Sequence, residues 1–275
     1  MTIRAVLLDM DGVLYHGDVP LPGAIDFVGR LADIPHLFLT NNPIRSPEAV
    51  AEKLWRMGFP AVEPSQVLTS ALAAAVWLQR EKPGFGYYAV GAPGLAQALS
   101  QFGHADDQAA DFVVVGEGPG LDYETLSRGI HLIVKCGARL IVTNPDHNVD
   151  AEIGGEHRLL PGGGALVAPF AVATGVEPVV IGKPRPLLFE MALERLGCAA
   201  EECLMVGDRP DTDIAGAAGL GLRTALVRSG RFGADAAWPV GLPRPDWDEL
   251  SLEGLAQALA LPHSTQVERT HERRG

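Results

Sequence analysis

Short apolar runs, each too short for a helix, alternate along this chain with segments of helical period. Ala5 to Leu8, His36 to Leu39, Val113 to Val115, Leu140 to Val142, Val179 to Ile181 and Leu204 to Val206 are such runs. Each ends at a polar or glycine-containing turn. That is the rhythm of parallel strands joined by crossover helices, with both faces of the sheet covered. The pattern predicts an α/β fold. Ser46-Pro47 reads as an N-cap with proline at the first helical position, and Gly58 closes that helix. A second helix is predicted over 186–196, ended by Gly197. Glycine- and proline-rich stretches at 82–86, 116–120 and 161–164 punctuate the middle.

At 275 residues the expectation is two domains. Hydrophobic residues at 47% and charged residues at 20% are ordinary globular usage, which excludes wholesale disorder. Asp plus Glu number 34 against 22 Lys plus Arg, for a net charge of −12. A general nucleic-acid or anionic-membrane binder needs a basic face, so neither partner is expected. Cys136, Cys198 and Cys203 offer no disulfide framework and no zinc spacing, which points to a reducing compartment and three partly buried small residues. No signal pattern opens the chain, and no apolar run reaches the ~20 residues of a membrane span. A cytoplasmic protein is the expectation. The last dozen residues are polar without periodicity and are predicted to fray.

Asp9-Met10-Asp11-Gly12-Val13 follows directly on the first apolar run. Two carboxylates two residues apart at the carboxyl end of a strand start on the same side, and the chain leaves the sheet at Gly12. In open α/β sheets, ligands bind beyond the carboxyl ends of the strands. Close carboxylates repel unless a cation lies between them or one takes a proton. Such a pair suits one ionised nucleophile or metal ligand beside a proton-carrying neighbour. Taken alone, a surface turn is the plain alternative, since Asp and Gly are common there. The other strand ends weigh against it. Thr40-Asn41-Asn42 offers hydroxyl and amide groups, and Gly182-Lys183-Pro184 would put an ammonium at the same rim. Gly207-Asp208-Arg209-Pro210-Asp211-Thr212-Asp213 adds up to three carboxylates. Hard oxygen ligands select Mg²⁺ over zinc.

With DMDGVL at 9–14, LTNN at 39–42, GKP at 182–184 and GDRPDTDI at 207–214, the chain resembles the haloacid dehalogenase-like (HAD) phosphatases. More narrowly it is similar to the NagD-like, 4-nitrophenylphosphatase and phosphoglycolate phosphatase branch, which carries a large α/β cap of the C2 type. VVVGEGPGLDYETL and TNPD resemble that cap, and PGGGALV its return to the core. The likeness runs from Ala5 to about Gly230. It implies a Rossmann-like parallel-sheet core over 1–73 and 180–262, an inserted α/β cap over 74–179, and a flexible tail over 263–275. It also implies a mechanism. Asp9 attacks the phosphoryl group and forms an aspartyl-phosphate. Asp11 protonates the leaving oxygen and then deprotonates the hydrolytic water. Mg²⁺ is held by Asp9, the Asp11 backbone carbonyl and Asp208, with Asp213 supporting its shell. Thr40 and Lys183 bind the transferring oxygens, the Asn41 backbone adds a donor, and Asn41 and Asn42 are substrate-binding residues. Thr143, Asn144 and Asp146 of the cap face the substrate, and a plain strand-end turn is their alternative. Pro43 and Pro210 depart from the branch, which usually has Ser and Leu there.

The implied activity is a Mg²⁺-dependent phosphatase acting on a small phosphorylated metabolite such as a sugar phosphate, phosphoglycolate or a nucleoside monophosphate. A phosphotransferase or mutase with the same intermediate, and a non-catalytic metabolite-binding protein, are the competing readings. Members of the branch often pair through the cap, so the resemblance also carries a homodimer as an expectation. Dinucleotide binding is excluded, because GxGxxG starting at Gly116 would need glycine at Leu121. A Walker loop fails at Glu177 and Pro184. His147 and His157 beside acidic residues suggest a second metal, but without strict spacing a solvated acidic loop is the simpler reading. Residues 74–179 carry 12 acids and 6 bases, half of the net charge, while five aspartates of the core gather at the strand ends.

Overall fold

The apolar runs become strands. The structure, a computed structural model, describes residues 3–153 and 156–262, so the tail expected to fray lies outside the described residues. Ala5–Leu8, His36–Thr40, Phe112–Val115, Arg139–Val142 and Cys203–Gly207 are strands whose interiors are buried. The predicted helices form over Pro47–Arg56 and Pro186–Leu196. Ser46 Oγ accepts from the Ala49 N–H at 3.3 Å, as an N-cap does.

The chain divides into two compact units. The first comprises Met1–Leu39, Val50–Val67 and Phe189–Gly275, and the second Thr40–Ala49 and Leu68–Leu188. The sheet of the first has the order Trp247–Glu249, Arg223–Val227, Cys203–Gly207, Ala5–Leu8, His36–Thr40, Val67–Thr69. Its pairs from Trp247–Glu249 through His36–Thr40 are parallel. Leu8 stands opposite Val206, so the two chains leave the sheet in register and side by side. Val6, Leu8, Phe27, Phe38, Leu54, Leu204 and Val227 belong to the apolar core on this sheet.

The second unit holds a five-stranded parallel sheet in the order Val179–Val180, Arg139–Val142, Phe112–Val115, Gly86–Val90, His104–Ala105. Helices Tyr123–Cys136 and Gly163–Thr174 pack on each other through Gly129, where a Cβ would collide with the Phe170 ring. Strands Asn148–Ile153 and Glu156–Pro161 pair antiparallel beside this sheet.

One strand differs from the expectation. Val179–Val180 does not join the sheet that ends in Asp9; it pairs in parallel with Ile141 and Val142 at the edge of the second sheet. Two half-buried residues carry no periodicity of their own, and the partner of so short a strand is set by the chain around it. Among the cysteines Cys203 is buried, Cys198 half-buried and Cys136 exposed, and burial pushes the Cys203 thiol up. Among the described residues, no helix is long and apolar enough to cross a membrane.

Candidate functional site

The first unit gathers carboxylates by strand register. Because Leu8 opposes Val206, Asp9 and the Gly207-Asp208 pair emerge next to each other, and the Asp9 N–H donates to the Val206 carbonyl at 2.9 Å. Met10 turns into the core while Asp11 is exposed, and three amides from Val13 to Tyr15 converge on the Met10 carbonyl. Gly12 has φ +82°, a left-handed value that glycine adopts without the Cβ penalty, which is how the chain turns away from the sheet here.

After Asp208 the chain makes one wide turn over Pro210–Ile214, with Pro210 at its first position. The departure from the branch's usual Leu is accommodated there, because the first residue of such a turn needs no amide donor. The turn swings Asp213 back, and its Oδ2 accepts from the Arg209 N–H at 3.1 Å. Gly207 makes room for it: a Cβ there would overlap the Asp213 side chain. The outcome is a set of three. Asp9, Asp208 and Asp213 each bring an oxygen within 4.8 Å of the others. Asp208 is 2% exposed and Asp213 fully buried, so water screens them poorly. Three hard oxygen donors at that spacing fit a divalent cation, whose charge would offset their mutual repulsion. The Asp11 side chain stands outside the set. Asp211 is paired instead with Arg209, whose Nε and Nη2 reach its two oxygens at 3.2 and 2.9 Å. Burial raises the Asp211 pKa, but the Arg209 hydrogen bonds and charge outweigh it and hold the carboxyl below its ordinary range.

The second unit gathers Thr40, Asn41, Asn42, Thr143, Asn144, Asp146 and Lys183. Asn41 clamps the Lys183 peptide from both sides. Its Oδ1 accepts from the Lys183 N–H at 2.8 Å, and its Nδ2 donates to the Lys183 carbonyl at 2.9 Å and to Asp146 Oδ2 at 3.1 Å. The Asn41 carbonyl in turn accepts from Ser70 Oγ at 2.6 Å and Asn144 Nδ2 at 2.9 Å. Asn144 also donates to Glu117 Oε1 at 2.8 Å, and its Oδ1 accepts from the amides of Asp146 and Gly163. These hydrogen bonds are internal to the unit, and Asn144 and Thr143 are fully buried. Thr40 Oγ1 accepts from the Asn42 N–H at 3.1 Å, and Asn42 Oδ1 from the Ile44 N–H at 2.8 Å.

The glycine run at 162–164 has its explanation here. Cβ atoms at these positions would run into the backbone of Asn144, Pro145 and Asp146, and the helix Gly163–Thr174 starts in that gap. Glu117, 2% exposed, is a site neighbour that the motifs do not mark, although Gly116-Glu117 follows its apolar run just as Asp9 follows the first. Of the two histidines that suggest a second metal, only His147 has a described side chain, and the described residues gather no cluster of metal-ligating groups around it. If Lys183 binds the transferring oxygens as the resemblance implies, Asn41→Ala is expected to lower kcat/KM by about a hundredfold through loss of the clamp, and to lower Tm by a few degrees because the buried Lys183 peptide loses its partner. An unchanged kcat/KM for 4-nitrophenyl phosphate would leave the clamp without a catalytic consequence.

Known proteins resemble the chain along most of its length. A family model described as haloacid dehalogenase-like hydrolase matches residues 6–105, and a second, HAD-hydrolase-like, matches 180–246. An acid sugar phosphatase of Staphylococcus aureus is 42% identical over 231 residues, which cover 82% of this chain and 87% of that protein. NagD of E. coli K-12 superposes with a TM-score of 0.81 at 34% identity, covering 92% of this chain and 98% of its own. A p-nitrophenyl phosphatase from Archaeoglobus fulgidus superposes with a TM-score of 0.84 at 29% identity, covering 94% and 100%.

Proposed function

Since the chain belongs to the haloacid dehalogenase-like hydrolases, in their NagD-like branch, and is a phosphoric monoester hydrolase, we propose that it hydrolyses small sugar phosphates with Mg²⁺ bound and Asp9 as nucleophile. The observation that carries this reading is the convergence of Asp9, Asp208 and Asp213, with ligand oxygens within 4.8 Å of one another. Sugar phosphates are favoured as the substrate class by the name of the staphylococcal relative. Residues 1–73 and 180–262 are assigned to the catalytic core and 74–179 to the cap. A cytoplasmic location accords with three free cysteines.

In the first step an Asp9 carboxylate oxygen forms a bond to phosphorus as the ester P–O bond breaks, and Asp11 gives its proton to the departing alkoxide. In the second, water attacks the aspartyl-phosphate, the bond between Asp9 and phosphorus breaks, and Asp11 takes the water's proton. Asp208 and Asp213, with Asp9 and the Asp11 carbonyl, would hold the cation. When bound, Mg²⁺ supplies positive charge to the phosphoryl oxygens. Thr40 and Lys183 are assigned to the same oxygens from the family pattern, and Asn41, itself bonded to Asp146, holds the Lys183 peptide in place for that task. Asn42 is assigned to the substrate side from the family pattern, whereas Thr143 and Asn144, expected to face the substrate, are fully buried, and Asn144 supports Asn41 and Glu117 from behind.

The test is a screen with Mg²⁺ of sugar phosphates, phosphoglycolate and nucleoside monophosphates, ranked by kcat/KM, with a sugar acceptor added in parallel. Sugar phosphates are expected to lead, with one inorganic phosphate released for each substrate consumed. Transfer to the acceptor in place of release would make the protein a phosphotransferase. No phosphate from any substrate, 4-nitrophenyl phosphate included, would make it a binding protein.

A further inference from the structure

The strand Arg223–Val227 lies beside Cys203–Gly207, and the chain leaves it through Arg228-Ser229-Gly230-Arg231. No residue of this exit takes part in the chemistry above, yet three of its contacts converge on it. The Arg231 N–H donates to Asp208 Oδ2 at 2.6 Å. The Ser229 hydroxyl donates to the Gly12 carbonyl at 2.9 Å, and the Ser229 carbonyl lies 3.0 Å from His16 Nε2. Gly230, between them, presses on the same carboxylate: a Cβ there would overlap Asp208 Oδ2 and stand 2.6 Å from Cγ. Gly230 is not among the glycines of positive φ, so the demand for glycine here is one of space alone.

The exit has little slack of its own. Arg228 grips Asp248 with two hydrogen bonds of 2.6 and 2.8 Å. Its Nη1 donates to the carbonyls of Gly233, Ala234 and Ala236 at 3.1 to 3.2 Å, and its guanidinium lies 5.0 Å from the Phe232 ring centroid. A carboxylate tied at one oxygen by the Arg231 amide, and walled by the adjacent Gly230, has few orientations left to it. Metal ligands depend on such outer partners for the orientation they present.

We propose that Ser229-Gly230-Arg231 is a positioning segment. It sets the orientation in which Asp208 offers an oxygen to the set formed with Asp9 and Asp213, and it ties that set to the loop carrying Asp11 and Gly12. The proposal rests on the divalent-cation reading of the three carboxylates. These residues act through Asp208 and the Gly12 loop and are not catalytic residues.

Mg²⁺ binding by isothermal titration calorimetry, and the Mg²⁺ dependence of 4-nitrophenyl phosphate hydrolysis, are measured for wild type, Gly230→Ala, Ser229→Ala and Ser229→Thr. Gly230→Ala is expected to weaken Mg²⁺ binding by about tenfold or more, with KM for the ester at saturating Mg²⁺ close to wild type. Ser229→Ala is expected to lower kcat by about tenfold, and Ser229→Thr, which keeps the hydroxyl donor, to restore it. Should Gly230→Ala fail to fold, the two serine variants decide between the outcomes. Mg²⁺ affinity and kcat within twofold of wild type in the soluble Ala variants would overturn the proposal while leaving the site reading intact. A wild-type protein that binds no Mg²⁺ would overturn the site reading and this proposal with it.

Discussion

Asp9→Asn is expected to leave a folded protein whose hydrolysis of 4-nitrophenyl phosphate has fallen by about four orders of magnitude or more. The amide has the shape of the carboxylate but lacks the charge and basicity to attack phosphorus. The fold does not depend on the side chain, because the residue is held by its backbone: the Asp9 N–H bonds to Val206 O and Met10 packs in the core behind it. Circular dichroism should therefore match wild type, and the metal-free Tm should equal or exceed that of wild type, because one of three mutually repelling charges is gone. Wild-type enzyme quenched with acid during turnover should carry a phosphoryl group on the peptide containing residue 9, and the variant should not. A variant that kept most of the wild-type rate would exclude Asp9 as the nucleophile.

Removal of divalent cations is the second large effect. EDTA should abolish activity, and added Mg²⁺ should restore it while raising Tm. A cation at a hundredfold excess over its Kd contributes about 2.7 kcal/mol to stability. The physical basis is repulsion. With oxygens within 4.8 Å, two carboxylates at an effective dielectric constant of about 20 repel by about 3.5 kcal/mol or more, and Asp9, Asp208 and Asp213 form three such pairs. Asp213→Asn tests this from the opposite side. The amide oxygen can still accept from the Arg209 N–H, while one charge is gone. The metal-free Tm of this variant should equal or exceed that of wild type, its Tm should no longer respond to Mg²⁺, and its activity should be lost. A lower metal-free Tm together with a preserved Mg²⁺ response would refute the repulsion argument.

The elements of the site that were legible in the sequence were those with local signals. The apolar run 5–8 followed by Asp9, the run 204–206 followed by Gly207-Asp208, and the cap Ser46-Pro47 are written in consecutive residues, and the structure places each where its pattern indicated. What could not be read was long-range. Lys183 follows a strand of two residues that pairs in a different sheet from Ala5–Leu8, and nothing within Val179–Val180 distinguishes the alternatives. Asn41, expected to bind substrate, spends its amide on a peptide 142 residues away. Glycines looked like loop punctuation or a failed nucleotide motif. Gly162, Gly163 and Gly164 are instead small because the backbone of residues 144–146 passes against them.

By itself, then, the sequence determined the α/β rhythm and the presence of Asp9, Asp11, Asp208 and Asp213 at strand ends, because strand length, burial pattern and termination are set by neighbouring residues. Only the tertiary structure decided which carboxylates share a cation. Leu8 opposite Val206 brings Asp9 to Asp208, the turn over 210–214 brings Asp213 in while Asp211 goes to Arg209, and Gly12, Gly207 and Gly230 leave the space these side chains occupy. The register of Leu8 with Val206 joins segments about 200 residues apart and comes into being only when the sheet forms, and the shorter-range approaches of Asp213 and Gly230 act on an Asp208 that this sheet has placed.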